Sequence, residues 1–458
     1  MLRRSMWTVL SKWLEEGPSK AFLLVGARQT GKTYLVRAFA QEKFSFLAEV
    51  NFLKDRRAIS LLGAASDTED FLARLSLLVK VPLRPHETLV FLDEIQEAPD
   101  VLTAVKFLIE DGRFPLAVSG SLLGTELKGV RSFPVGYVQV ERMYPLGFEE
   151  FCWAQNVPDN IWRTVRNAYE SRSRVEDSLH AYLTSLFRYY LAIGGMPEAV
   201  QTYLASGYDM GAVRQTALQI LEQYRFDIAK YVGRRALAVR SIFDAMPSQL
   251  SKENKRFKLN TLGNKATYNR YENDFQWIID AGVALPAYCV SEPKSPLPRT
   301  KEINKFKLYS SDTGLLLAQY PQQSVLDVME GASSVNFGAV YENAVAQALS
   351  IVDPNLYYYL NNRKGEVDFL VETSRGEIMP VEVKSGKDYK VHVALNNLLD
   401  TAEYGISEAV VLSEANLSTE QRKGKLIAYL PLYMTPFLAE EMKDTLAGVR
   451  MAPPRPPL

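Results

Sequence analysis

Short apolar runs alternate with amphipathic stretches over the first third of the chain. Ala21–Val25 is an apolar run typical of a short buried strand, whereas Thr33–Gln41 carries its apolar residues at helical spacing. Thr88–Leu92 and the run within Phe114–Ser121 predict two more strands. Strands that alternate with helices are typical of a parallel sheet covered by helices, so residues 1–155 are predicted to form an α/β domain.

The pattern changes after this region. Residues 156–230 keep apolar positions at helical spacing, with a break at Gly194–Gly195, and predict a helical segment. Residues 231–310 predict a turn, a helix and a strand, and residues 311–445 predict mixed helices and strands. Residues 446–458 form a Pro-rich tail that we expect to be disordered. The predicted domains are 1–155 (parallel sheet), 156–230 (helical), 231–310 (middle segment), 311–445 (carboxyl-terminal domain) and 446–458 (tail).

The loop between the first strand and its helix has the spacing of a phosphate-binding loop. Its residues fit G-x-x-x-x-G-K-S/T, and they are Gly26, Ala27, Arg28, Gln29, Thr30, Gly31, Lys32 and Thr33. The two glycines let backbone N–H groups surround a phosphate, and the N-terminus of the following helix attracts the same anion. Lys32 adds a positive charge for the β- and γ-phosphates, and Thr33 offers a hydroxyl to Mg²⁺. The alternative is a Gly-rich connector that matches by chance.

A phosphate loop predicts an acidic residue at the end of a second buried strand. Asp93 and Glu94 directly follow the apolar run Thr88–Leu92. Asp93 is expected to hold Mg²⁺, usually through water, and Glu94 to polarise an attacking water. The alternative is a pair of solvated carboxylates. Ser119 or Ser121, at the end of the next strand, could sense the γ-phosphate or could belong to an ordinary serine-rich turn.

Composition excludes several classes of protein. The chain has 458 residues, 47% hydrophobic and 23% charged, and its 53 Lys and Arg balance its 53 Asp and Glu, so the global charge indicates no partner. The Cys and His residues predict neither a disulfide framework nor a zinc site; they are Cys152, Cys289, His86, His180 and His392. The N-terminus lacks a signal-peptide core and no apolar run reaches membrane-spanning length, so a cytoplasmic protein without a membrane partner is predicted.

The middle segment is basic. Between Ile228 and Leu308 there are 15 Lys and Arg against 7 Asp and Glu, a net charge of +8. Its pattern resembles a winged-helix unit, with a helix that carries Lys265, Tyr268, Arg270 and Tyr271. Basic residues interleaved with aromatic residues suit phosphate contacts, which predicts a nucleic-acid partner. The alternative is the solvated face of a small helical domain.

The last segment carries a second set of carboxylates. Glu342 lies in a predicted helix, Asp368 in a hairpin-like stretch, and Glu382 and Lys384 two residues apart on one face of a strand. Asp368 and Glu382 could hold a divalent metal, Mg²⁺ or Mn²⁺, through oxygen ligands, while Lys384 positions or activates a water and Glu342 completes the metal shell. The alternative is a strand with one wet side, on which Lys384 pairs with Glu382.

The motifs together resemble those of a bacterial and archaeal family of AAA-type ATP-binding proteins. The stretches that carry this resemblance in the first part are "GARQTGKT", "VFLDEIQEAPD", "SGSLLG", "SFPVGYVQVERMYPLGFEEF" and "YLAIGGMPEAV". The last part, with "FKLYSSDTGLL", "GAVYENAVAQAL", "EVDFLVE" and "MPVEVKSGK", is similar to a partner domain with a PD-(D/E)XK nuclease-like fold.

The resemblance implies more than the motifs alone. It implies a P-loop NTPase sheet of the ASCE type, a helical lid, a winged-helix-like middle segment and a restriction-endonuclease-like α/β domain at the end. It also implies that Glu94 is the catalytic glutamate, that Asp93 is the Mg²⁺ residue, and that Ser119 or Ser121 is the first sensor. An AAA-type site usually takes an arginine from a neighbouring subunit, so a homo-oligomer such as a hexamer is expected, with Arg131 as the candidate; the alternative is a solvated arginine.

Two classes of function follow. In the first, a Mg²⁺-dependent ATPase moves or clamps nucleic acid, and a carboxyl-terminal metal-dependent nuclease site cuts it through Glu342, Asp368, Glu382 and Lys384. DNA is the expected partner, and the sequence leaves RNA open. In the second, the protein is an ATP-dependent switch or binding protein whose carboxyl-terminal domain only grips a partner. Every acidic and lysine position of the nuclease-like motif is occupied by the expected residue type, which favours the first class. The zero net charge of the chain weakens the case for a nucleic-acid partner.

Overall fold

The computed structural model describes residues 2–121, 136–252, 254–263, 266–332 and 337–443. The chain divides into two compact units that interleave along the sequence. The first unit contains 1–159, 188–285 and 308–332, and the second contains 160–187, 286–307 and 333–458. The predicted domain boundaries at 155, 230, 310 and 445 stay predictions.

Strands and helices alternate over the first part of the chain and mix over the rest. The strands are β1 (Ala21–Val25), β2 (Phe46–Asn51), β3 (Thr88–Asp93), β4 (Leu116–Gly120), β5 (Val138–Arg142), β6 (Ala284–Val290), β7 (Lys301–Ser310), β8 (Leu356–Asn361), β9 (Gly365–Glu372), β10 (Ile378–Val383), β11 (Glu408–Ser413), β12 (Ser418–Arg422) and β13 (Lys425–Pro431). The helices are α1 (Met6–Glu15), α2 (Lys32–Lys43), α3 (Arg57–Gly63), α4 (Thr68–Ser76), α5 (Val101–Asp111), α6 (Phe148–Ala154), α7 (Asp159–Glu170), α8 (Asp177–Ile193), α9 (Pro197–Ala205), α10 (Met210–Tyr231), α11 (Ala236–Leu250), α12 (Tyr268–Asp280), α13 (Thr313–Ala318), α14 (Gln322–Glu330), α15 (Gly338–Ser350), α16 (Val393–Leu399) and α17 (Thr435–Glu440).

The first unit contains a parallel sheet with the strand order β2-β3-β4-β1-β5. The predicted α/β fold with a parallel sheet is therefore confirmed. β4 lies between β1, which precedes the phosphate loop, and β3, which ends at Asp93. β4 therefore separates the two strands that carry the predicted nucleotide-binding motifs. Because all strands are parallel, their carboxyl ends lie at one edge of the sheet, where ligands of such sheets bind.

The strands of this sheet bury apolar side chains on both faces, as parallel strands between helices do. Leu23 of β1 packs with Phe71 of α4 and Val105 of α5 in one buried cluster. Its neighbour Phe22 packs with Leu10 of α1 and with residues of α2 in a second cluster on the other face. Successive side chains of a strand point to opposite faces, and each face has its own helices. This packing holds β1 and α2, and therefore the loop between them, in a fixed position.

The region that was predicted to be mostly helical contains α7 to α10. The predicted break at Gly194–Gly195 separates α8 from α9. In the middle segment the predicted turn, helix and strand correspond to residues 254–263, α12 and β6. β6 and the following β7 are adjacent strands of the large second sheet, so a separate winged-helix domain is not confirmed.

The second sheet has eight strands in the described part of the chain, in the order β12-β13-β11-β10-β9-β8-β6-β7. It is mixed, because β8, β9 and β10 pair antiparallel whereas β10, β11 and β13 pair parallel. α15 is buried along most of its length. A restriction-endonuclease-like fold is not confirmed by this arrangement. Among the described residues, no helix combines the length and the hydropathy that crossing a bilayer requires.

Candidate functional site

The phosphate loop has a backbone that suits glycine at two positions. Gly26 has a φ of 145°, and a Cβ atom there would lie 2.2 Å from the carbonyl oxygen of Met143. Gly31 has a φ of 93° and precedes the first residue of α2. Larger residues would therefore be strained at both positions. The loop is a close-fitting backbone cradle at the N-terminus of a helix, which is a general anion-binding arrangement.

Lys32, at the start of α2, is buried at the centre of this cradle. Its ammonium donates hydrogen bonds to the carbonyl oxygens of Gly26 (2.9 Å) and Ala27 (2.7 Å). Burial lowers the pKa of Lys32 to about 8, although the nearby carboxylates of Glu94 and Asp93 oppose this shift. Loop carbonyls satisfy the ammonium only with partial charges, so a phosphate would be a stronger partner.

Asp93 lies at the end of β3 and is fully buried. It accepts hydrogen bonds from Thr33 Oγ1 (3.0 and 3.1 Å), from Asn51 Nδ2 (2.6 Å) and from Ser119. Burial raises the pKa of the Asp93 carboxyl, and the hydrogen bond from Ser119 acts in the opposite direction. Thr33 and Asp93 are thus in direct contact, and their predicted roles at a shared Mg²⁺ ion stay predictions.

Glu94 follows in a left-handed backbone conformation, with a φ of 59°. Such a conformation costs about 1–3 kcal/mol for a residue other than glycine and persists where the surroundings enforce it. The carboxylate accepts hydrogen bonds from Gln96 Nε2 (2.5 Å) and Ser121 Oγ (3.2 Å). The backbone N–H of Ser121 in turn donates to Gln96 Oε1 (3.3 Å), which orients the amide. Of the two predicted sensor candidates, Ser119 contacts Asp93 and Ser121 contacts Glu94.

Arg28 joins the phosphate loop to α10. Its guanidinium forms an ion pair with Asp227 (2.6 Å) and donates a hydrogen bond to the hydroxyl of Tyr231 (2.9 Å). The Tyr224 hydroxyl donates to the carbonyl oxygen of Arg28 (3.2 Å), and Gln29 donates to Gln223 (2.6 Å). Burial raises the pKa of Asp227, and the positive charge of Arg28 opposes this shift. Four side chains of one helix therefore contact two adjacent residues of the loop.

A cavity of about 450 Å³ opens beside this loop. Its lining includes Gly31, Lys32, Thr33 and Glu94, together with Met143 and Pro197. The cradle, the buried ammonium and the Thr33–Asp93 pair fit a nucleoside triphosphate with Mg²⁺: the phosphates suit the loop, and apolar side chains line another part of the cavity. Thr30 is buried and donates to the carbonyl oxygen of Ala27 (3.0 Å), so its side chain stabilises the loop.

The carboxyl-terminal candidates meet on neighbouring strands of the second sheet. The register of β9 and β10 pairs Phe369 with Val381, so Asp368 and Glu382 are next to each other. The backbone N–H of Val383 donates to Asp368 Oδ2 (2.9 Å), and Lys384 forms an ion pair with Glu382 Oε1 (2.9 Å). Burial raises the pKa of Glu382, opposed by the positive charge of Lys384. This ion pair is the alternative that the sequence had left open for Lys384.

A residue outside the predicted set lies at the centre of this cluster. The ammonium of Lys307, on β7, is 2.6 Å from Glu366 Oε1 and 3.5 Å from both Glu342 Oε2 and Asp368 Oδ1. Among the described residues, no group of three or more His, Cys, Asp or Glu side chains has a geometry that could hold a metal ion. The predicted metal ligands are brought together, but around an ammonium of the protein itself.

The basic residues of the middle segment have different environments. Lys258 and Arg270 are exposed, whereas Lys255 and Arg256 are partly buried. Lys307, which contributes to the net charge of +8, is completely buried and cannot contact a nucleic acid. Lys265 and Arg131 lie outside the described residues.

Sequence reasoning missed several residues of these sites. Asn51 ends β2 beside Asp93, and its position at the carboxyl end of a neighbouring strand was a usable signal. Lys307 stands between Phe306 and Leu308, and a charge flanked by apolar residues was a usable signal for it. The contacts of Asp227 with Arg28 had no signal, because almost 200 residues separate the two along the chain.

Comparison with family models assigns the first part of the chain. Residues 18–152 match an AAA domain (AAA_14). Residues 184–325 and 337–433 match two domains of unknown function, DUF8612 and DUF4143. The comparison with curated proteins finds no match.

Several solved structures are similar at low identity. A Walker-type ATPase of Pyrococcus abyssi has a TM-score of 0.42 and 14% identity, over 70% of this chain and 96% of that one. The Orc1 protein of Aeropyrum pernix in complex with DNA has a TM-score of 0.26 and 14% identity, over 71% and 90% of the two chains. Cdc6p of Pyrobaculum aerophilum has a TM-score of 0.24 and 13% identity, over 71% and 92%. Likeness at this level carries no functional conclusion.

The assignment of an ATP-binding domain rests instead on the family match and on the motif residues that the matched region contains. The matched region contains the phosphate loop, Asp93 and Glu94, and its sheet brings all of them to one edge. The roles predicted for the individual side chains remain predictions. The match of residues 18–152 to an AAA domain therefore supports an AAA-type ATP-binding protein.

Proposed function

We propose that the protein is a Mg²⁺-dependent ATPase that acts on nucleic acid, DNA rather than RNA. The observation that supports the ATPase is that Lys32, Thr33 and Glu94 line one cavity beside a backbone phosphate cradle, with Asp93 hydrogen-bonded to Thr33. Each of these side chains has a distinct task in phosphoryl transfer, and a chance cluster would not supply all four.

Each residue of the nucleotide site has a defined role in this proposal. Lys32 exchanges its two loop carbonyls for the β- and γ-phosphate oxygens. Thr33 and Asp93 would hold Mg²⁺, which when bound neutralises charge on the phosphate oxygens. Glu94 orients the attacking water and accepts its proton, and Gln96 and Ser121 hold the carboxylate that does so. Ser119, bonded to Asp93, lies at the end of the strand between the two motifs.

Two substitutions test the ATPase. Lys32→Ala removes the main counter-charge of the triphosphate, so ATP binding should be lost. Glu94→Gln removes the base but keeps the shape, so ATP should remain bound and unhydrolysed. Lys43→Ala, an exposed lysine at the other end of α2, is the matched control and should hydrolyse ATP like the unchanged protein. Normal turnover in Lys32→Ala or Glu94→Gln would refute the assignment.

The nucleic-acid partner is supported by the basic middle segment. Its net charge of +8 includes exposed side chains such as Lys258 and Arg270, near the aromatic residues of α12. Phosphate contacts of this kind carry most non-specific affinity for nucleic acids. In this proposal the nucleotide state of the AAA domain controls how the protein holds the nucleic acid, as in an ATP-dependent switch.

A second candidate is a metal-dependent nuclease in the second unit, coupled to the ATPase. The observation that favours it is the adjacency of Asp368 and Glu382 on β9 and β10, with Lys384 beside them and Glu342 facing the same cluster. Plasmid nicking with Mg²⁺ or Mn²⁺, with and without ATP, tests this candidate. Cleavage that Asp368→Ala and Lys384→Ala each abolish, without effect on ATP hydrolysis, would establish it. If neither DNA nor RNA is cleaved, the nuclease candidate fails and the ATP-dependent switch is the function that stays proposed.

A further inference from the structure

Lys307 is buried to an unusual degree for a charged residue. Its side chain has 0% exposure, whereas Lys residues are almost never fully buried unless they are paired. The pairing here is threefold, with Glu366 (2.6 Å), Glu342 (3.5 Å) and Asp368 (3.5 Å). The centre of the Tyr358 ring also lies 5.1 Å from the ammonium. These contacts come from α15, β8 and β9, so separate elements of the second unit surround one cation.

Three of the four carboxylate oxygens of Asp368 and Glu382 already have partners. Asp368 Oδ1 contacts Lys307, and Asp368 Oδ2 accepts the N–H of Val383. Glu382 Oε1 contacts Lys384, whereas Glu382 Oε2 has no hydrogen-bond partner among the described residues. One unpartnered oxygen from this pair of carboxylates, beside a bound ammonium, is a poor start for a Mg²⁺ site, because Mg²⁺ demands near-octahedral oxygen coordination.

The two lysines of the cluster differ in whether they could make room. The side chain of Lys384 is 28% exposed and could turn towards solvent when a metal enters. Lys307 has no such path, because it is enclosed on β7 and leaving its partners would bury an unpaired charge. A divalent ion placed among the same carboxylates would then be repelled by a nearby positive charge at low dielectric constant.

We infer that Lys307 is the resident cation of this cluster and takes the place of a divalent metal, so that the carboxylates of the second unit bind neither Mg²⁺ nor Mn²⁺. The residues therefore do not fit the metal that a PD-(D/E)XK-like site implies. Glu342, Glu366 and Asp368 serve as counter-ions that hold α15 and β9 to β7. This inference is independent of the proposed ATPase and speaks against the nuclease candidate.

The test is a Mn²⁺ titration of the nucleotide-free, full-length protein, followed by electron paramagnetic resonance. All proteins carry Asp93→Asn, which removes the metal carboxylate of the ATP site. The protein with Lys307 intact should bind Mn²⁺ no better than its Asp368→Asn version. Lys307→Gln keeps the length of the side chain without the charge, and it should bind one Mn²⁺ per chain at least tenfold more tightly. Adding Asp368→Asn to Lys307→Gln should remove that ion.

Two results would overturn the inference. The first is Mn²⁺ binding with Lys307 intact that Asp368→Asn abolishes, because the metal and the ammonium would then coexist. The second is a folded Lys307→Gln protein that gains no Mn²⁺, because the ammonium would then not replace a metal. If Lys307→Gln does not fold, the comparison of the intact protein with Asp368→Asn decides alone. ATP hydrolysis in the protein without Asp93→Asn is measured separately, so a failure here and a failure of the proposed ATPase are distinguishable.

Discussion

At the scale of single residues, the charge of Lys32 is the most sensitive feature of the nucleotide site. The side chain is buried in the loop that is expected to hold the phosphates, and burial lowers its pKa to about 8. A phosphate favours the charged form, so the pKa of Lys32 must be higher in the nucleotide complex than in the free protein. Above pH 8, nucleotide binding must therefore be accompanied by uptake of a proton.

The sign of the pH dependence follows from this proton uptake. Below pH 8 the ammonium is already charged and ATP affinity should be constant. Above pH 8 the affinity should fall by up to about tenfold per pH unit. Titration with a fluorescent ATP analogue between pH 6.5 and 9.5 measures this effect. Thr33→Ala keeps Lys32 and should show the same slope, whereas Lys32→Arg should show none; a flat profile in the unchanged protein would contradict the prediction.

At the scale of elements, the ion pair of Arg28 and Asp227 connects α10 to the phosphate loop. Their side chains are 25% and 11% exposed, so water screens the pair only in part. Asp227→Asn would leave the guanidinium with a weaker, neutral partner. Hydrogen bonds to charged groups contribute about 1.5–3 kcal/mol, and we expect the free energy of unfolding to fall by about this amount.

Urea denaturation of the nucleotide-free protein measures the loss. Asp244→Asn is the matched control, because Asp244 of α11 forms an ion pair with Arg225 of α10 and is 39% exposed. Exposed pairs contribute about 0–1 kcal/mol, so the control should change little. Equal losses in both variants would show that Arg28 and Asp227 have no special part in holding α10.

A second prediction at the scale of elements concerns the basic middle segment, whose exposed charges lie on α12 and on the loop before it. Lys258→Glu and Arg270→Glu together should weaken DNA binding and reduce the slope of log affinity against log salt by about 0.9 for each phosphate that is no longer neutralised. Fluorescence anisotropy at several salt concentrations provides the measurement. Arg56→Glu with Lys80→Glu changes the same charge at exposed positions of the AAA domain and should have a smaller effect. Affinity that does not vary with salt would exclude phosphate contacts.

At the scale of the whole molecule, the prediction concerns self-assembly. If Arg131 completes the ATP site of a neighbouring subunit, Arg131→Ala should retain ATP binding and lose about 10³-fold or more in hydrolysis. Lys128→Ala removes a charge from the same segment and serves as the control. Sedimentation of Glu94→Gln with ATP should show an oligomer, since bound ATP is not consumed. A monomer with full activity, or an active Arg131→Ala, would contradict this prediction.

Elements and motifs that depend on neighbouring residues could be predicted from the sequence alone. Local spacing indicated β1, the phosphate loop and α2, because a loop of this kind needs glycine, lysine and threonine within eight positions. A continuous apolar run likewise located Asp93 at the end of a strand, and a helical pattern located Glu342 on a helix. The parallel sheet followed from the alternation of strands and helices, and the strand order agrees with it.

Contacts between residues that are distant along the chain became visible only in the folded structure. Arg28 meets Asp227, and Lys307 meets Glu342, Glu366 and Asp368, through contacts across strands and helices that no local pattern encodes. The middle segment shows the same limit, since its local pattern resembled a winged helix while its strands β6 and β7 joined the large mixed sheet. The physical reason is that strand partners and buried counter-ions are selected by packing over the whole chain, whereas a motif records only the residues beside it.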